Sequence, residues 1–229
     1  MSMPGDEASR REKVLGAVRA RLGRGSGASG RESVEERLQG QPRHLIPGRS
    51  QQDRARLKAL FAAQLRAGNA TVVEAASEAD VPRAVAAYLR GQNLPLALRS
   101  GDDGWLASFD WSREPALTLA RGRADPADAV GLTHAVAGIA ETGTLMLASG
   151  PGNPVTVTFL PETSIVVLRA DDLVGPYESA FDRIRERYGR GTMPRTLNLV
   201  SGPSRTADVG GRLVTGAHGP RRLCVVIVG

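Results

Sequence analysis

Apolar residues along this chain recur at two spacings, and the two alternate over most of its length. Between about residues 51 and 67, Leu57, Leu60, Phe61 and Leu65 return at three- and four-residue intervals, the face of a helix stopped by Gly68 and Asn69. Asp80 precedes a second such pattern, Val81, Ala84, Val85, Tyr88 and Leu89, ended by Gly91. The clearest helix spans 176–188: Tyr177, Ala180, Phe181, Ile184 and Tyr188 share one face, Pro176 opens it and Gly189 closes it. Residues 71–74, 94–98, 116–120, 155–160, 165–168, 196–200 and 223–228 are strand-like runs instead. From Leu132 to Leu147 the pattern is long and apolar, broken by Glu141-Thr142-Gly143-Thr144. Alternation of this kind predicts an α/β fold, a largely parallel sheet flanked by helices on both faces.

The N-terminal part follows another pattern. Val14, Ala17, Val18 and Leu22 place a short helix in the first 22 residues, with Ser9 as its N-cap. Residues 23–30 have the Gly/Ser composition of a flexible linker. Residues 31–50, with Pro42 and Pro47, suggest an arm lying on the body. Two regions are therefore expected: 1–50 as helix, linker and arm, and 51–229 as one α/β domain.

Composition narrows the chemistry. The single cysteine, Cys224, rules out a disulfide framework, a cysteine-based zinc site and an iron–sulfur cluster held by this chain alone. No run approaches 18 apolar residues, so no membrane span is expected, and an acidic, apolar-poor start argues against a secretory or transit peptide. A cytoplasmic location is the expectation. Net charge is +6, but residues 1–66 carry +7 and the remainder −1. The body is therefore neutral, and with only 4% aromatic residues it lacks the footprint of a nucleic-acid binder.

Three segments have the Gly, Ser and Thr content of ligand loops in α/β proteins. In Ile139-Ala140-Glu141-Thr142-Gly143-Thr144-Leu145 a carboxylate lies between apolar runs, either as a reacting or orienting group or as a structural acceptor of backbone amides. Ser201-Gly202-Pro203-Ser204-Arg205-Thr206-Ala207-Asp208 offers amides, hydroxyls and a guanidinium to an anion after a strand and ahead of an expected helix start. Its bland counterpart is a turn in which Asp208 pairs with Arg205. Thr215-Gly216-Ala217-His218-Gly219-Pro220 contains a histidine that serves as acid–base group, anion donor or plain turn residue. His134 and His44 are weaker candidates, no His/Asp/Glu pair has metal-ligand spacing, and Gly101-Asp102-Asp103-Gly104 is most simply a turn. Glu141 (catalytic) and Thr142, Gly143, Thr144, Ser201, Gly202, Ser204, Arg205, Thr206 and His218 (ligand-binding) make one candidate site. It is expected where the two loops converge at the carboxyl ends of adjacent strands.

Taken together, Ala140-Glu141-Thr142-Gly143-Thr144, Leu160-Pro161, the Ser201–Asp208 loop and Gly216-Ala217-His218-Gly219-Pro220 resemble the lactate utilisation protein C family, built on a LUD domain. The resemblance covers about residues 50–229 and implies the fold type of ribose-5-phosphate isomerase, glucosamine-6-phosphate deaminase and CoA transferases. It further implies a part in oxidising L-lactate to pyruvate with two iron–sulfur partner proteins, the clusters residing in the partners and no cofactor in this chain. Two departures stand out. The family commonly has Thr-Gly-Ala-Asp where this chain has Thr133-His134-Ala135-Val136, and a lysine where it has Arg205. The alternative is a free-standing CoA-transferase-like or sugar-phosphate-type enzyme using Glu141, by analogy of fold.

Overall fold

The computed structural model describes residues 4–22, 28–43, 45–209 and 212–229. His44 and residues 23–27 of the expected linker lie outside them. The chain divides into two compact units, Met1–His44 and Leu45–Gly229.

The first unit holds helices α1 (Pro4–Arg21) and α2 (Ala28–Gly40). The first helix begins at Pro4, five residues ahead of Ser9, because proline's missing N–H costs nothing in a first turn. The second replaces the end of the linker and half of the arm. Its Glu, Arg, Leu and Gln residues favour helix, and Gln39 donates to Glu35 one turn back at 3.2 Å. Val14, Val18, Leu22, Val34 and Leu38 are exposed.

In the second unit Asp53 caps α3 (Arg54–Ala67) through the Arg56 amide at 2.9 Å. There follow β1 (Thr71–Ala75), α4 (Val81–Gly91), β2 (Ala97–Ser100), α5 (Gly104–Ser108), β3 (Thr118–Arg121) and β4 (Val130–His134). After them come β5 (Ala137–Ile139), β6 (Thr144–Ala148), α6 (Val155–Phe159), β7 (Thr163–Arg169), β8 (Leu173–Val174) and α7 (Tyr177–Tyr188). The last elements are β9 (Leu197–Val200), β10 (Arg205–Val209), β11 (Arg212–Thr215) and β12 (Arg222–Val228). A parallel sheet runs β1-β12-β7-β4-β2-β3, and a second sheet runs β8-β5-β6-β9 with β6 antiparallel to both neighbours.

The apolar runs of β7 and β12 are buried on both sides, as a central parallel strand requires. Ile165, Val167, Cys224 and Val226 face α4 through Val81, Val85 and Leu89. Val166, Leu168, Val225 and Ile227 face Phe61 and Leu65 of α3 and Leu145 and Leu147 of β6. Beyond the second sheet, Ala180 and Ile184 of α7 cover Ile139 and Met146. Burial pushes the Cys224 thiol up to about 12, which makes it an inert core residue.

Three expectations change. Residues 155–159 form a helical turn despite their β-branched residues. Pro154 starts it, and its Val157 carbonyl rests on Gly131 of β4 so closely that no Cβ fits there, so tertiary packing overrides propensity. Strand β9 is the half-exposed edge of the second sheet, with Leu199 at 46% exposure, and not a buried strand. After Ser201 the chain forms the antiparallel hairpin β10–β11 where a helix start was expected.

Candidate functional site

Strand β6 lies between β5 and β9, and this pairing builds the site. Residues 140–143 turn β5 into β6, Ser201 follows β9, and the Leu145–Val200 register sets Thr144 opposite Ser201. Gly143 closes the turn at φ +66° under α3, where a Cβ would stand 2.6 Å from Gln64 Cβ and 2.7 Å from the Leu65 amide.

Four hydroxyls meet at this junction. Thr144 Oγ1, buried, lies 2.7 Å from Thr142 Oγ1, 3.0 Å from the Tyr177 hydroxyl and 2.6 Å from Ser201 Oγ. Thr142 in turn donates to Tyr177 at 3.0 Å. Each hydroxyl has one proton, so that last bond fixes the others. Thr144 must donate to Thr142, Tyr177 to Thr144, and Ser201 to Thr144. Ser201 is thereby left with its lone pairs toward any ligand, made better acceptors by the chain of bonds behind them. A ligand beside Ser201 is best matched by bringing a hydroxyl or N–H.

Beside Ser201 opens a cleft of about 200 Å³ lined by Ser201, Ser204, His218, Phe159, Ser164 and Leu223 among others. Its wall is locked: the Ser204 amide donates to Pro220 at 2.8 Å, its carbonyl accepts from Gly216 at 2.8 Å, and its hydroxyl accepts from the His218 amide at 3.3 Å. His218 is the one titratable side chain among the described residues that line this cleft.

The two loops thus converge, with His218 on the same cleft, and do so at the carboxyl ends of β5 and β9. With respect to the parallel sheet the location differs from the expectation. Ser164 and Leu223 stand at the amino ends of β7 and β12, because the second sheet carries both loops to that edge. Glu141 is half-buried in the turn, its amide donating to the Gly175 carbonyl at 3.1 Å. Its carboxylate makes no hydrogen bond or ion pair with another described residue and is not among those lining the cleft. Gly202 and Ser204 line the cleft; Thr206 lies in β10 opposite Val214. Arg205 is exposed at the start of β10, outside the cleft wall and without a described partner. Of Asp208 only the backbone is described.

Sequence patterning missed Tyr177, whose place on an amphipathic face reads as core; its position one residue past Gly175-Pro176, at the helix start, was the available signal. It also understated Asp103. That residue caps α5 through the Leu106 amide at 2.9 Å and meets His134 Nδ1 at 3.2 Å, under the Trp105 ring. Burial raises the Asp103 carboxyl, but hydrogen bonds from His134 and the Leu106 and Trp105 amides outweigh it and hold it below the usual carboxylate range. A depressed native value adds stability at neutral pH that is lost as pH falls through the carboxylate range. Asp103→Ala should therefore cost about 2 kcal/mol at pH 7, with the gap to the parent closing below about pH 4 in urea titrations. A gap independent of pH would exclude the ionised carboxylate as its source.

A mostly parallel sheet backed by a second sheet that carries a hydroxyl-lined cleft defines an α/β domain. The LUD domain model matches residues 58–228, and the chain belongs to that family. Lactate utilization protein C of Shouchella clausii is 38% identical over 99 residues, 43% of each chain. Its counterpart from Geobacillus sp. strain WCH70 is 37% identical over 100 residues, 43% of this chain and 42% of that one. The chain thus spans less than half the length of these curated relatives. A crystal structure of a DUF162 family protein from Deinococcus radiodurans shares the fold, with a TM-score of 0.55 at 23% identity over 78% of this chain and 99% of that one. No helix among the described residues is long and apolar enough to cross a membrane, and no group of three or more His, Cys, Asp or Glu among them is placed to hold a metal ion.

Proposed function

We propose that this chain is a cytoplasmic component of a lactate utilisation system, binding a small hydroxy- or oxo-carboxylate at the Glu141 turn and the Ser201–Asp208 loop. The observation that carries the reading is the hydroxyl junction joining those loops, with Ser201 presenting acceptors at the cleft mouth. Lactate brings what such a site lacks, a hydroxyl donor for Ser201 and a carboxylate for His218. The names of the relatives support the same substrate class. Oxidation of L-lactate to pyruvate releases two protons and two electrons. Glu141 is the candidate to take the hydroxyl proton; the Cα hydrogen would leave with both electrons of its bond to an acceptor that iron–sulfur partner proteins would supply, since one cysteine cannot hold a cluster here.

Lactate-dependent dye reduction by the copurified partners, with and without this chain, tests the proposal. Activity in the complete mixture alone is expected. Equal activity without the chain would refute it, and acyl transfer from a CoA thioester by the chain alone would establish the enzyme alternative in its place.

A further inference from the structure

The parallel sheet contains a reversal that the cleft above does not use. From β2 the chain steps outward to edge strand β3, returns past β2 to β4, and continues to β7 and β12. Strand order therefore reverses between β2 and β4. In open α/β sheets the crevice outside the carboxyl ends at such a reversal is where ligands settle. Beside this reversal, at the ends of β2 and β3, lies a groove of about 580 Å³, with walls from Asp102 after β2, Gly122 and Arg123 after β3, residues 149–151 and 154–156, and Arg195 and Thr196 ahead of β9.

The walls are held in place by the fold. Asp102 donates its amide to Pro151 at 3.0 Å, Ala124 to Thr156 Oγ1 at 3.2 Å, and Thr196 to Ser149 Oγ at 2.9 Å. Gly101 passes so close to the Gly152 carbonyl and Pro154 that no Cβ fits, and the neighbouring Asp103 is anchored on His134.

The charges in the groove are not matched. Arg123 and Arg195 are exposed, and neither makes a hydrogen bond or ion pair with another described residue. Several guanidinium groups of this unit do meet carboxylates, as Arg90 does Glu114, Arg99 does Asp128 and Arg183 does Asp172, each at 2.8 Å. The Asp102 side chain, in the same groove, pairs with neither arginine. Two planar forks suit the oxygens of a phosphoryl group, and a carboxylate, accepting only, suits the hydroxyls of the same molecule.

We infer that this groove is a second ligand site, taking a phosphate ester whose organic part carries hydroxyl groups. Arg123 and Arg195 hold the phosphoryl oxygens, and Asp102 accepts from the hydroxyls. The site lies at the carboxyl edge of the sheet, whereas the Ser201–His218 cleft opens at the amino ends of β7 and β12, so the two stand independently.

Calorimetric titration of the full chain with glucose 6-phosphate tests this, with glucose and inorganic phosphate as separate arms. Saturable binding is expected below about 10 mM, competed by inorganic phosphate and not shown by glucose. Arg123→Ala and Arg195→Ala should each weaken it roughly tenfold or more, with unchanged melting temperatures because both residues are exposed. Ser201→Ala should leave it intact. No saturable binding of glucose 6-phosphate, binding that survives both arginine substitutions, or binding lost in Ser201→Ala would each overturn the inference.

Discussion

Alanine at Gly68 or at Gly202 should destabilise the protein by about 1–3 kcal/mol, and the double substitution by clearly less than the sum. The end of α3 crosses the Ser201 loop backbone to backbone. A Cβ at position 68 would stand 2.6 Å from the Ser201 carbonyl oxygen, and one at 202 would stand 2.6 Å from the Gly68 carbonyl oxygen. No side chain can rotate away here, so either methyl pushes the same two segments apart. Once they have parted, the second methyl enters space already opened, which is why the effects should not add. Parting also moves Ser201 away from Thr144, stretching their 2.6 Å hydrogen bond and releasing the proton arrangement that aims Ser201 at the cleft. Urea unfolding of the parent, both single variants and the double variant measures the coupling. Additivity within about 0.5 kcal/mol would show that the two glycines do not share one contact.

That crossing was not legible in the sequence, and the reason is general to this site. Helix α7 was legible because its burial repeats every 3.6 residues between Pro176 and Gly189, and β12 because an unbroken apolar run matches a strand buried on both faces. The loops of the candidate site were also legible, since Glu141-Thr142-Gly143-Thr144 and the Ser201 segment interrupt those runs with groups that cannot be buried without partners. Their location was not. Pairing β6 with both β5 and β9 is a long-range choice that local periodicity does not record, and it carries the cleft to the amino edge of the parallel sheet. The same blindness made α6 look like a strand, because its conformation is set by Gly131, some 25 residues earlier in the chain. In the first unit the glycines of residues 23–30 masked a helix that begins at Ala28.

Glu141→Gln should leave the melting temperature within about 2 °C of the parent, equivalent to well under 1 kcal/mol for a domain of this size. It should also lower lactate-dependent dye reduction by the complete system about a hundredfold or more, the contribution of a positioned proton acceptor. The two expectations have separate origins. The turn is held by the Glu141 amide on Gly175, by Gly143 under α3 and by the bonds of Thr142 and Thr144, none of which involves the carboxylate. That carboxylate is half-buried without a described partner, so exchanging one oxygen for an amide breaks nothing inside the protein. Under the proposed function it removes the carboxylate that would accept the ligand's hydroxyl proton. Thr144→Val supplies the contrast: removing the hydroxyl at the centre of the junction should lower both stability and activity, because Thr142, Tyr177 and Ser201 all lose their shared partner. A fully active Glu141→Gln system would dismiss Glu141 as the base and pass that role to His218, the titratable side chain that faces the cleft. His218→Gln, and not Glu141→Gln, would then be the inactive variant.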